Sequence, residues 1–235
     1  MSAGVHLEFD GPVAIVSLDN PPLNIFDLEM RDGLIEAFTA VRDIPDARVL
    51  LLRAEGRHFS AGADLSEFAS AESIMEARRI RWDRDPWGVL WELPIPTIAV
   101  LHGIAVGSGM EMAMLCDLRL ASHDTRLGLP ETKLGMLPSA GGSQSLTRAI
   151  GPSAAVPVIA TSVTLDATEA SLRGIVSRVV DDVEDEARRL ATTLADVDPT
   201  VMRAAKRLVH AAGDLPLADG LALEHLLARP PLGSQ

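Results

Sequence analysis

Residues 94–122, PIPTIAVLHGIAVGSGMEMAMLCDLRLAS, decide the architecture. TIAVLHG is a β-branched, apolar run of strand length, and VGSG is a glycine-containing turn that ends it. MEMAMLC then reads as an apolar helix, and DLRLAS as a second strand. A loop follows, and another helix begins after AGGSQ (140–144).

The reading extends outward in both directions. Upstream, Val5–Phe9 and Val13–Leu18 are short strands separated by the turn Asp10-Gly11-Pro12, and NPPLNIF is an irregular loop set by prolines. Met30, Leu34, Phe38 and Val41 recur at helical spacing, which predicts an amphipathic helix over Asp27–Arg42. VLLL within Arg48–Ala54 reads as a buried strand. The charged stretch from Ser66 to Leu93 reads as helical, with Pro86 breaking or kinking it. Downstream of Pro152 the chain is mostly helical, with one further short strand expected at Ile175–Val180. Strand–helix alternation followed by helices predicts the α/β class with a helical C-terminal part.

Composition narrows the functional classes. A chain of 235 residues, 47% of them hydrophobic, suffices for one substantial core. A formal charge of −12 argues against a general nucleic-acid binder, which needs a basic face to displace counterions. No apolar run reaches the length of a membrane span, and the N-terminus lacks the basic start and apolar core of a secretory signal. One cysteine excludes an internal disulfide framework and fits a reducing, cytoplasmic setting. That residue, Cys116, lies in an apolar stretch and is expected to pack rather than react.

The six histidines are scattered, without HExxH or Cys/His spacing, so no metal site is expected. Ser108 and Ser143 lie beside glycines, but neither satisfies the GxSxG elbow. Gly107-Ser108-Gly109 resembles the start of a dinucleotide fingerprint, yet Met112 occupies the third glycine position and Glu111 would repel a pyrophosphate. Glu111 interrupts an apolar helix, and burying an unpaired carboxylate costs several kcal/mol. Its alternative explanation is a first-turn carboxylate stabilised by the helix dipole. Glu131, in GLPETKLG, is open to a surface or capping reading. Together the two suggest paired carboxylates able to hold a water and divide general-base and general-acid work. The bend in HFSAGADL and the helix start at Gly107-Ser108 can each expose a backbone N–H, and two aimed at one oxygen make an oxyanion hole.

LDNPPLNIF (18–26), HFSAGADL (58–65), the stretch at 94–122, LPETKLGMLPSAGGSQSLTRAIG (129–151) and GIVSRVV (174–180) occur in one order. In that order and spacing the chain resembles the crotonase, or enoyl-CoA hydratase/isomerase, superfamily. The resemblance implies a spiral of ββα units with two roughly perpendicular sheets over residues 1–180. It also implies a C-terminal helical region over 181–235, shortened here, for assembly into a homotrimer or a dimer of trimers. It further implies a lyase that hydrates 2-enoyl-CoA thioesters in fatty-acid and lipid metabolism, with coenzyme A as part of the substrate and no separate cofactor. Isomerase, hydrolase or decarboxylase chemistry, or a non-catalytic acyl-CoA-binding role, remains open. By position, Ala63 and Ser108 would supply the N–H pair, and Glu111 and Glu131 would act on the catalytic water. Ala61, Gly62, Asp64, Leu65, Gly107 and Pro130 would complete the substrate contacts. Ser108 stands where the family usually has glycine, Ser66 where lysine is common near the CoA phosphates, and Leu129 where glutamine is common. ATSVTLDATEASLRG (160–174) is a loose match to its family segment.

Overall fold

A computed structural model describes residues 4–66 and 83–228. In chain order the first elements are β1 (Val5–Asp10), β2 (Val13–Leu18), α1 (Leu28–Asp43), β3 (Val49–Ala54), α2 (Pro86–Trp91) and β4 (Thr97–Leu101). Next come β5 (Ile104–Val106), α3 (Ser108–Leu115), β6 (Leu118–Ala121), β7 (Arg126–Gly128) and a 3-10 helix (Pro130–Leu134). The remainder is α4 (Gly142–Ile150), α5 (Pro152–Thr161), β8 (Thr164–Asp166), α6 (Ala167–Leu172), β9 (Arg178–Val179), α7 (Val183–Ala195), α8 (Pro199–Ala212) and α9 (Leu217–Leu227).

The main sheet runs β1-β2-β3-β4-β6-β9, antiparallel only between β1 and β2 and parallel elsewhere. Alternate residues of its strands serve two cores. Ala14, Val16, Leu18, Leu50 and Leu52 face a large cluster that includes Met30, Leu34 and Phe38 of α1. Val13, Ile15, Val49, Leu51, Ile98 and Val100 face the other side, where Val183, Ala187, Ala191 and Ala195 of α7 cover them. Burial on both faces is why these strands read as continuous apolar runs rather than alternating ones. Truncating a fully buried residue such as Leu50 to alanine would cost roughly 2–5 kcal/mol.

The class is α/β with two sheets and a helical C-terminal region, as the sequence predicts. Two local readings are corrected. Pro86 opens α2 instead of breaking a longer helix, because at the first helical position its missing N–H has no partner to lose. Asp85 caps that helix by accepting from Gly88 N at 3.0 Å. The rest of the expected helix, residues 67–82, lies outside the described residues. The strand expected at Ile175–Val180 shrinks to Arg178–Val179, because Ile175 and Val176 donate to Ala170 O and bury their side chains in the core instead. The second sheet agrees with the two that the resemblance implies, but its strands β5, β7 and β8 were not read from the residues: they are three residues each, too short to show a period. This small sheet carries the site, since β5 leads into α3 and β7 into the 3-10 helix.

Candidate active site

The loop NPPLNIF is anchored by Asn24, which is 1% exposed. Its side chain donates to Glu55 O and His58 O at 2.9 and 2.8 Å and accepts from Asn20 N at 2.8 Å. Ser60 Oγ closes the join by donating to Asn24 O at 2.7 Å. The loop then lies beside Ser60–Asp64: Ala61 N donates to Leu23 O, Phe26 N to Gly62 O and Asp64 N to Phe26 O. In this parallel bridge Phe26 uses the groups on either side of Ala63, so the N–H of Ala63 points to the opposite edge.

The Ser60–Asp64 segment meets the start of α3 at Gly62. An ideal Cβ on Gly62 would sit 3.0 Å from Val106 O and 3.4 Å from Ser108 N, so only glycine, here at φ +98°, lets the two segments approach so closely. Gly107 caps α3, whose first N–H groups have no intrahelical acceptor and lie at the positive end of its dipole. Two backbone segments, around Gly62 and at the start of α3, are thus packed against each other.

Glu111, in the first turn of α3, is fully buried. Its Oε1 accepts from Ala140 N at 2.8 Å and Gly142 N at 2.9 Å, so the AGG turn before α4 holds the carboxylate. An ideal Cβ on Gly142 would lie 2.8 Å from Glu111 Cγ, which leaves no room for a side chain there. The far end of α3 is tied by Arg119, whose guanidinium donates to the carbonyls of Cys116 and Ile175. Cys116 is buried, and burial first, then the nearby Asp117, pushes its thiol up to about 12, as suits a packing residue.

Glu131 sits one residue into the 3-10 helix and is 9% exposed. Ala61, Gly62, Ala63, Leu65, Gly107, Ser108, Pro130 and Glu131 line one cavity of about 100 Å³, closed by Leu134, Met136 and Leu137. A Cβ on Gly107 would lie 3.3 Å from Glu131 Oε1, which places that carboxylate against the turn leading to Ser108. Asp64 and Glu111 do not join this lining; the Asp64 carboxylate accepts from the N–H and hydroxyl of Ser66. A larger cavity of about 450 Å³ adjoins through Ser108 and is walled by Trp87, Trp91, Leu115, Ala140 and Gly141 among others. Trp87 is fixed there by donating Nε1 to Ser108 O at 3.2 Å.

Sequence reasoning missed Asn24, Trp87 and the AGG turn as supports of the site. The paired glycines of Gly141-Gly142 were the available signal for the last, since adjacent glycines mark a close backbone approach. Among the described residues no group of three or more His, Cys, Asp or Glu could hold a metal ion, and no helix is long and apolar enough to cross a membrane.

The site brings two glycine-bent backbone segments and the Glu131 carboxylate to one cavity, with Glu111 buried in the first turn of α3. Known proteins resemble this chain over nearly its whole length. The family model described as enoyl-CoA hydratase/isomerase matches residues 8–231. A probable enoyl-CoA hydratase of Mycobacterium tuberculosis is 39% identical over 226 residues, covering 95% of this chain and 87% of the relative. An (E)-benzylidenesuccinyl-CoA hydratase of Thauera aromatica is 35% identical, covering 95% and 88%. The crystal structure of an enoyl-CoA hydratase subunit from Geobacillus kaustophilus superposes with a TM-score of 0.90 at 35% identity, covering 96% of this chain and 88% of that one.

Proposed function

Because the chain belongs to the enoyl-CoA hydratase/isomerase family, we propose that it adds water across the double bond of a 2-enoyl-CoA thioester. The observation that carries this reading is the burial of two glutamates near Ser108, Glu111 on the helix that Ser108 opens and Glu131 on the 3-10 helix that lines the cavity with Ser108. A proton-moving pair is what hydration needs, one group to activate water and one to protonate carbon.

In this reading the thioester oxygen accepts from the N–H groups of Ala63 and Ser108, and the polarised β-carbon becomes electrophilic. Water held between Glu111 and Glu131 attacks that carbon. The enolate charge rests on the two N–H groups until the α-carbon takes a proton from Glu131. The glutamates end with the proton inventory they began with, and the water is divided between the α- and β-carbons. The acyl group extends past Ser108 toward Trp87 and Leu115. Ala61, Gly62, Leu65, Gly107 and Pro130 shape the passage, and Asp64 serves it through the turn it makes with Ser66.

The same reading includes assembly as a homotrimer or a pair of trimers in the cytoplasm. It is supported by α8 and α9, which bury no residue within the chain and leave Val201, Val209, Leu217 and Leu226 exposed. The test is loss of conjugated enoyl-thioester absorbance on adding crotonyl-CoA, with Glu111→Gln alongside. Loss with the wild type alone supports hydration through Glu111. Equal rates in both would overturn the assignment.

A further inference from the structure

Two non-glycine residues among those described adopt a positive φ, Asn24 at 49° and Ser162 at 51°. Such a conformation is unfavourable for a side chain bearing a Cβ, so it persists only where the surroundings impose it. Asn24 uses its amide to lock the loop beside Ala63, as described above. Ser162 makes a comparable tie on the other side of the site.

Ser162 caps the C-terminus of α5 and is 4% exposed. Its hydroxyl lies 2.6 Å from Thr132 Oγ1, and Thr132 Oγ1 lies 2.7 Å from Ile159 O. A carbonyl only accepts, so the Thr132 hydroxyl donates to Ile159 O and the Ser162 hydroxyl donates to Thr132. Thr132 is the residue after Glu131. Three residues before Glu131, Gly128 pairs with Thr164 in the β7–β8 ladder. The carboxylate is therefore bracketed by two ties to one short segment, 162–164, with Pro130 fixing the backbone between them.

We infer that Thr132 and Ser162 are positioning residues that hold Glu131 at the Ala63–Ser108 cavity, through a hydroxyl relay anchored on Ile159 O. The left-handed backbone of Ser162 is what turns its hydroxyl toward Thr132. The 3-10 helix is otherwise held by local backbone bonds, Gly135 N to Thr132 O at 3.1 Å and Met136 N to Glu131 O at 3.0 Å, and by Lys133 Nζ donating to Ser162 O at 3.3 Å. Without the relay the turn loses the hydroxyl tie next to Glu131 and keeps the Lys133 contact and its local bonds.

The kinetic part of the test rests on the hydratase reading; the exchange part does not. Thr132→Val keeps the shape and removes the hydroxyl, and Thr132→Ser restores it. Thr132→Val is expected to lower kcat about 10- to 100-fold with KM for crotonyl-CoA within about twofold of wild type. Thr132→Ser is expected to recover most of that loss. Ser162→Gly separates position from stability: glycine accepts the left-handed backbone, so the melting temperature holds or rises while kcat falls. Reaction in D2O adds a signature a merely structural residue would not move, a loss of facial selectivity in deuterium delivery to the α-carbon. A kcat for Thr132→Val within about twofold of wild type, or a loss in Ser162→Gly that simply follows its melting temperature, overturns the inference.

Amide hydrogen exchange at Gly135 and Met136 reads the relay directly. Faster exchange in Thr132→Val supports it, and unchanged exchange overturns it whatever the kinetics. Faster exchange together with a wild type inactive on every enoyl-CoA would sustain the relay and count against the hydratase reading.

Discussion

The two glutamates are held by opposite means. Glu111 stands on a regular helix, α3, whose two ends are fixed by the sheet and by Arg119, and its carboxylate is gripped by two backbone N–H groups. Glu131 stands on a single 3-10 turn, and the ties on either side of it are a three-residue ladder and a pair of side-chain hydroxyls. Backbone donors are part of the fold and can be removed only by moving the chain. Hydroxyls can be deleted one at a time. In the proposed reaction the rigidly held Glu111 would fix the water, and the more independently mounted Glu131 would follow a carbon centre that changes geometry.

The strongest way to break this comparison is to neutralise each carboxylate. Glu111→Gln and Glu131→Gln are each expected to lower kcat about 10²- to 10⁴-fold, with binding of a saturated acyl-CoA retained. Calorimetric titration beside the absorbance assay checks both halves. If one variant keeps full activity, the pair does not act as a pair and an isomerase-type division of labour replaces it.

The two mountings also differ in how far the sequence disclosed them. VLLL, TIAVL and MEMAML are apolar because both faces of their elements are buried, and such runs are visible in any single sequence. Glu111 stood out because it interrupts one of them. Glu131 stood out only beside its partner, since a carboxylate after a proline in a loop is ordinary. Thr132 and Ser162 were silent, because a hydroxyl in a polar loop looks the same whether it faces water or a neighbour thirty residues away. The strands of the second sheet were silent for a related reason: three residues each, they are specified by partners distant in sequence, not by their own pattern.

A substitution at Gly142 tests the grip on Glu111 without changing that residue. The added methyl of Gly142→Ala would meet Glu111 Cγ at 2.8 Å and must displace the side chain or open the AGG turn. The expected loss in kcat is about a hundredfold, about 2.7 kcal/mol at the transition state. The result sharpens the comparison if the loss exceeds that of Thr132→Val, and blurs it if the two are equal.

Beyond α3 the chain passes through Asp117, which joins the Glu111 region to α8. Asp117 accepts from Thr97 N and Oγ1, and pairs with Lys206 Nζ at 2.7 Å and His210 Nε2 at 2.8 Å, while Trp91 stacks on His210. Burial opposes its charge, but the His210 hydrogen bond and the Lys206 charge outweigh it and hold its carboxyl below the ordinary 3.8. Because the folded value is the lower one, this contribution to stability is complete above pH 3.8 and is lost as the pH falls below it. Asp117→Asn should therefore cost about 2–3 kcal/mol at neutral pH, a partly exposed pair being worth less than a fully buried one. Thermal melts from pH 7 downward should show the wild type approaching the variant only in strong acid. With α8 loosened and α3 still tied by Arg119, kcat should stay within about twofold of wild type.

The smallest effect belongs to Ser108, and it separates backbone from side-chain chemistry at the N–H pair. If the donor is the N–H at the start of α3, the side chain is incidental and Ser108→Gly leaves that donor in place. The hydroxyl is nearly buried, so its removal leaves a small void beside Trp87 and little else. Glycine in the first helical turn costs about 0.5 kcal/mol relative to serine, so the melting point should drop slightly. Turnover should change less than about threefold, because the transition state keeps both N–H donors. A hundredfold loss would mean that the serine hydroxyl itself meets the substrate. The site would then rest on a side chain at this point too, and the contrast between a backbone-held and a hydroxyl-held half would fail at the oxygen they share.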